Sequence, residues 1–117
     1  MNATADRIPD YLRHIMEAAE KIEKYTAGLS LADFLDNDMC RDAVVRQIEI
    51  IGEASSRIRD ARGGQKLAGP WGEAIKMRNR VIHVYDGVNA EIVWETVQND
   101  IPELKKLAGD ELKQLAG

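Results

Sequence analysis

Between Met77 and Asp86 stand a guanidinium, an amide, an imidazole and a phenol, in the order Arg78-Asn79-x-x-x-His83-x-Tyr85. Together these groups suit cleavage of a phosphodiester by internal attack of an RNA 2′-hydroxyl. A histidine can take or give a proton near neutral pH. Arg78 can hold the scissile phosphate through two hydrogen bonds and stabilise the charge that grows there. Asn79 can fix the tautomer of His83 or bind RNA, and the flanking Lys76 and Arg80 are candidates for further RNA contacts. One histidine leaves either the acid or the base unfilled. A second copy of the chain meeting at this helix would provide the missing one. From spacing alone the same residues also read as an ordinary polar helix end.

A helix must position them. At about 100° per residue, Ala74, Met77, Val81 and Val84 share an arc of about 80°, which is the expected core face. Arg78, Asn79 and His83 are expected to one side of it, with His83 one turn beyond Asn79. Tyr85 returns near the arginine. Gly69-Pro70 starts this helix with proline in its first turn, and Gly87 is expected to close it.

The rest of the chain has the same helical period. Ile8, Leu12, Ile15, Ala19 and Ile22 make one stripe, Pro9 fits the first turn, and Gly28 ends the helix. Ser30 and Asp33 predict capping of a short helix bearing Leu31, Phe34 and Leu35. A long third helix is expected from Asp38 to about Arg62, with Val44, Ile48, Ile51 and Ile58 on its core stripe and Gly63-Gly64 as its break. Val45 and Ile50 widen its apolar arc beyond one packing partner. Gly52, at mid-helix, costs about 1 kcal/mol relative to alanine and is expected where another backbone comes close. This predicts a helix covered on two sides, the second cover being another copy of the chain. Asn89 can cap a fifth helix bearing Ile92, Val93, Trp94 and Val97. Asp100-Ile101-Pro102-Glu103 reads as a capped restart, followed by Leu104, Leu107, Leu112 and Leu115 on short segments. Nothing alternates with period two, so the expected fold is an all-α up-and-down bundle of four to five main helices, homodimeric and one domain over 1–117.

Bulk properties narrow the function. No apolar stretch approaches the roughly 20 residues that span a bilayer, and the first residues lack a signal peptide's pattern. With one cysteine, Cys40, no internal disulfide forms, so a cytoplasmic setting is expected. The net charge of −4 speaks against bulk electrostatic grip on nucleic acid. Yet Arg57 to Arg80 holds seven basic residues against Asp60 and Glu73, +5 locally and therefore −9 elsewhere. Phosphate contact needs local positive charge, although such a run is also common as plain solvated surface.

Other residues tempt without convincing. His14 falls opposite the apolar stripe of the first helix and reads as surface. His83 with Asp86 lacks a further histidine or cysteine at ligand spacing, so no metal and no cofactor are expected. Glu49 and Glu53 lie one turn apart but read as solvated or paired with arginines. Trp71 and Trp94 could stack bases, and on bundle helices they read as core. Cys40 has no histidine neighbour that would mark a nucleophile.

Arg78-Asn79-x-x-x-His83-x-Tyr85 resembles the signature of HepT-like proteins, within the wider HEPN group. That signature is an arginine and a histidine with four to six residues between them, and a tyrosine two further on. Asp42 to Ala54 resembles the family's long central helix. Pro70-Trp71, Val93-Trp94 and Asp100-Ile101-Pro102-Glu103-Leu104 are also similar, so the likeness runs from about Tyr11 to Leu107. The resemblance implies a helical homodimer whose paired motifs line a cleft, and a metal-independent endoribonuclease toxin of a type VII-like toxin–antitoxin pair. It implies that Arg78 and His83 are catalytic, with Asn79 supporting. The implied partner is a small nucleotidyltransferase antitoxin that transfers AMP from ATP to Tyr85. An anionic adduct beside Arg78 and His83 would compete with RNA phosphate. Val84 departs from the more usual glycine and would narrow the cleft. The alternative is a noncatalytic helical adaptor that positions a nucleotidyltransferase.

Overall fold

The computed structural model describes residues 7–64, 69–86 and 89–116, with the side chains of all of these except Val84, Tyr85 and Asp86. Its helices are α1 (Ile8–Thr26), α2 (Leu31–Leu35), α3 (Asp38–Ala61), α4 (Gly69–Asp86) and α5 (Ala90–Ala116). Among the described residues there is no strand, as the helical period requires. No helix is long and apolar enough, among those residues, to cross a membrane.

The helix ends follow local chemistry. Pro9 sits in the first turn of α1, and Gly28, at φ 75°, lies just beyond its end. At α2 the capping box is complete, with Asp33 N–H donating to Ser30 Oγ at 3.1 Å and Ser30 N–H donating to Asp33 Oδ2 at 3.0 Å. The Ser30 backbone N–H, then its hydroxyl, holds the Asp33 carboxyl below the ordinary carboxylate range. Asn37 caps α3 by accepting the Cys40 N–H at 3.0 Å. Asn89 does the same for α5, accepting from Ile92 N–H at 3.4 Å.

Packing closes a ring of four long helices. α1 lies on α3, α3 on α4, α4 on α5, and α5 back on α1, while short α2 bridges α3 and α5. Leu12, Ile15 and Ile22 of α1 meet Ile48, Ile51 and Ile58 of α3, Val81 of α4 and Val93 and Ile101 of α5 in one fully buried cluster. Phe34 seals one end, its ring 5.1 Å from Trp94. Trp71 is also buried, so both tryptophans belong to the packing. The wide apolar arc of α3 is covered from within the chain, by α1 on one side and α4 on the other. It therefore carries no argument for a second copy.

The expected restart at Asp100-Ile101-Pro102-Glu103 does not occur. α5 runs through it with Pro102 inside. Proline lacks the N–H that would meet the Gln98 carbonyl one turn back, but Gln98 and Pro102 are both exposed, so water can take up that carbonyl. Buried Ile101 and Leu104 hold both halves of the helix on the core. Asp100 does not cap; it pairs with Arg80 at 3.2 Å.

Cys40 is half-buried, its Sγ 3.5 Å from the Tyr25 carbonyl oxygen. Burial pushes its thiol up from the ordinary range, against the opposing Arg41 charge.

Two outcomes follow from these elements. Pro102→Ala should raise the urea midpoint, by about 1–3 kcal/mol of stability, because alanine restores the helix donor; a restart at this position would make alanine neutral or harmful. Cys40, holding little thiolate at neutral pH, should be alkylated by iodoacetamide more slowly in the folded protein than in urea. Equal rates would contradict the burial.

Candidate active site

α4 presents its motif across the seam with α3. Counting about 100° per residue from Arg78, the side chains of Trp71, Ala74, Ile75, Val81 and Ile82 all fall within about 60° of it. The first four are buried and Ile82 is half-buried. Arg78 thus emerges from the middle of the buried arc, not from beside it as the narrower Ala74–Val84 stripe implies. The reason is a second apolar flank, made by Trp71, Ile75 and Ile82, that faces α3.

An arginine there needs room, and Gly52 of α3 supplies it. A Cβ at position 52 would stand 2.6 Å from Arg78 Cβ and 2.9 Å from its Nη1, with Arg78 Cγ nearer still. The close approach expected at this glycine is real, but it comes from a side chain, not a backbone. Arg78 is half-buried, and its Nε donates to Asn79 Oδ1 at 2.7 Å. Asn79 Oδ1 thus serves the arginine, a contact beside the expected roles of fixing the histidine tautomer or binding RNA. Asn79 and His83 are exposed, one turn apart on the same side of α4. Tyr85 lies in the last turn of the helix, and its side chain, like those of Val84 and Asp86, is outside the described residues.

Charge pairing separates Arg78 from its basic neighbours. Arg57 pairs with Glu53 at 3.2 Å, Arg59 with Asp60 at 3.2 Å and Lys76 with Glu73 at 3.5 Å. Arg62 pairs with Glu111 and Arg80 with Asp100. Among the described residues Arg78 has an amide, not a carboxylate, as its partner. Exposed pairs of this kind hold their charge loosely, but each lowers the field that a phosphate would meet.

Lys76 and Arg80 do not join Arg78. They line an open groove of about 710 Å³ between α4 and α5, with Glu73, Asp100, Met77 and Leu104 among its other walls. They stand about 160° from Arg78 on either side, on a flank they share with His83, which is itself about 140° from Arg78 and within about 60° of both. His14 is exposed with its ring edge toward Tyr11, 6.4 Å between centroids, and Glu53 serves Arg57.

Two positions matter for this site in ways the sequence pattern does not reveal. Glu111 of α5 accepts the Trp71 indole N–H at 3.1 Å while pairing with Arg62, tying the start of α4 to the ends of α3 and α5. Glu111 stands among other charged residues near the end of the chain, and no local pattern marks it. Gly52 carries a signal, a glycine inside an otherwise unbroken helix, but not the identity of what approaches it.

Comparison with known proteins gives a consistent result. The family model described as "Ribonuclease HepT-like" matches residues 15–110, a span that includes Gly52 and the whole Arg78-to-Tyr85 motif. A protein of Thermococcus cleftensis named "Probable ribonuclease HepT" is 44% identical over 96 residues, 82% of this chain and 87% of its own. A candidate RNase of Caldanaerobacter subterraneus is 40% identical over 96 residues, 82% of this chain and 86% of its own. A candidate RNase of Methanocaldococcus jannaschii is 36% identical over 96 residues, 82% of this chain and 88% of its own. No solved structure matches the chain.

Proposed function

Because this chain belongs to the ribonuclease HepT-like family, we propose that it is a metal-independent endoribonuclease and the toxin of a type VII-like toxin–antitoxin pair. The observation that carries this reading is Arg78 itself. It is half-buried over Gly52, braced through Nε by Asn79, and one turn of helix separates Asn79 from the exposed His83. With Nε engaged, the terminal nitrogens are the donors left for a phosphate. They can hold two of its oxygens and gain most as charge accumulates on the pentacoordinate phosphorus.

In the proposed reaction a base removes the proton from the RNA 2′-hydroxyl, and the oxygen attacks the adjacent phosphorus. The bond to the 5′-oxygen breaks, and an acid protonates that oxygen as it leaves. The products are a 2′,3′-cyclic phosphate and a 5′-hydroxyl end. His83 performs one of the two transfers, and His83 of a second copy performs the other, which makes a homodimer the working unit. Lys76 and Arg80, across α4 from Arg78 but within about 60° of His83, serve as contacts to a strand that bends round the helix. A small nucleotidyltransferase is the proposed antitoxin, placing AMP on Tyr85. The adduct brings negative charge and bulk within two residues of His83, where RNA phosphate would otherwise bind.

The test is incubation of a defined RNA with purified protein in excess chelator. Wild type should cleave it and leave a cyclic phosphate. His83→Ala should lose about 10²–10⁴-fold in rate and Arg78→Ala about 10²–10³-fold, with helical content retained. Absence of cleavage by folded protein whose Tyr85 is bare by mass spectrometry would favour a noncatalytic adaptor. Treatment with the nucleotidyltransferase and ATP should place one adenylyl group on the Tyr85 peptide and silence the wild type. An adduct elsewhere would remove Tyr85 from the scheme.

A further inference from the structure

Gly52 has an ordinary right-handed helical backbone, since the positive-φ glycines are Gly28, Gly63, Gly64 and Gly69. Conformation therefore does not require a glycine there, and alanine would favour the helix. Space does require it. The atoms that a methyl group would strike are the root of the Arg78 side chain, with Cβ at 2.6 Å, closer than real Cβ atoms approach one another. By contrast, a Cβ at Gly109 of α5 would meet only the flexible end of Met16, at 3.5 Å.

The identity of the struck atoms decides what happens. A turn about χ1 of Arg78 would carry Cγ and the guanidinium away but leave Cβ where it is. Relief therefore needs α4 to move off α3 or to turn about its own axis, and either motion displaces the guanidinium. From this we infer that Gly52 is a positioning residue for the reaction, the floor of a slot that sets the α3–α4 separation and aims Arg78. Asn79 fixes the same group from the other end, at Nε, so the guanidinium is held at its root and at its neck. This inference rests on the ribonuclease reading for its functional half and on packing alone for its structural half.

A double-mutant cycle with two readouts tests both halves. Gly52→Ala should keep wild-type helical content, lower kcat by about 10²-fold, as a displacement of an ångström does, and change KM far less. In the Arg78→Ala background the same substitution should cost no further activity, because its effect passes through the arginine. The thermal midpoint should change sign. Gly52→Ala lowers it in the wild type and in Arg78→Ala, which keeps the struck Cβ, but raises it in Arg78→Gly, where the methyl enters an emptied slot. Arg78→Met, which keeps Cβ and Cγ, should behave like the wild type in the melt and like Arg78→Ala in the assay.

Wild-type kcat in Gly52→Ala, or an equal fall in midpoint in all backgrounds, overturns the inference. If Gly52→Ala fails to fold alone, recovery of folding in Gly52→Ala/Arg78→Gly supports it, and continued failure overturns it. If the wild type cleaves no RNA, the ribonuclease reading falls, and the sign change in the melt still decides whether Gly52 and Arg78 share the slot.

Discussion

Everything in this fold hangs on the double burial of α3. One side of it carries Ile48, Ile51 and Ile58 into the common core, and its two flanks are occupied by α1 and α4. A chain of 117 residues has little apolar surface to spare, so a central helix that serves two neighbours at once makes economical use of it. The consequence is a seam between α3 and α4 tight enough that one side chain must be missing. That missing side chain is at position 52, and the group that takes its place is an arginine. A packing requirement and a chemical requirement meet in one contact.

On the proposed ribonuclease reading, that contact lets an acidic protein handle an anionic substrate. Most of the described cations between Arg57 and Arg80 are engaged by carboxylates on their own or neighbouring helices, which suits a surface whose net charge is negative. Arg78 is treated differently. No described carboxylate pairs with it, and an amide braces it without neutralising it. On that reading recognition depends on one well-aimed charge more than on a broad positive field, and such a charge works best where water is partly excluded.

Much of this architecture is legible in the amino-acid sequence. The α1 stripe, the Ser30–Asp33 box, the bounds of α3 and the core role of Trp71 and Trp94 are local patterns, and local patterns survive folding. The departures have a common cause too. Pro102 reads as a stop because sequence rules weigh the lost hydrogen bond but not the solvent beside Gln98 or the anchoring of Ile101 and Leu104. The width of the α3 arc states that two partners exist but not that both lie in the same chain. On α4, apolar Trp71, Ile75 and Ile82 form a second stripe that the first one, Ala74 to Val84, obscures. Arg78 is therefore expected at the margin, whereas it sits at the centre. Lys76 and Arg80 group with it by proximity in sequence, although a helix sends residues two apart to opposite sides.

Glu111 adds a point about tolerance to change. Its carboxylate grips both the Trp71 indole and the Arg62 guanidinium, so the rotation of α4 about its own axis is locked near its first turn, while the Gly52 slot locks it again near Arg78. Two pins determine the azimuth of a rod. The connection between α3 and α4 is thereby released from any duty of orientation, and lengthening it carries chiefly the slow entropic cost of a longer loop, about 0.6 kcal/mol for each doubling. Insertions could accumulate there across relatives without turning the arginine away from its target, whereas a single helical residue added between Trp71 and Arg78 would swing it by about 100°. The length of the connection is free to drift; the count of residues between the pins is not.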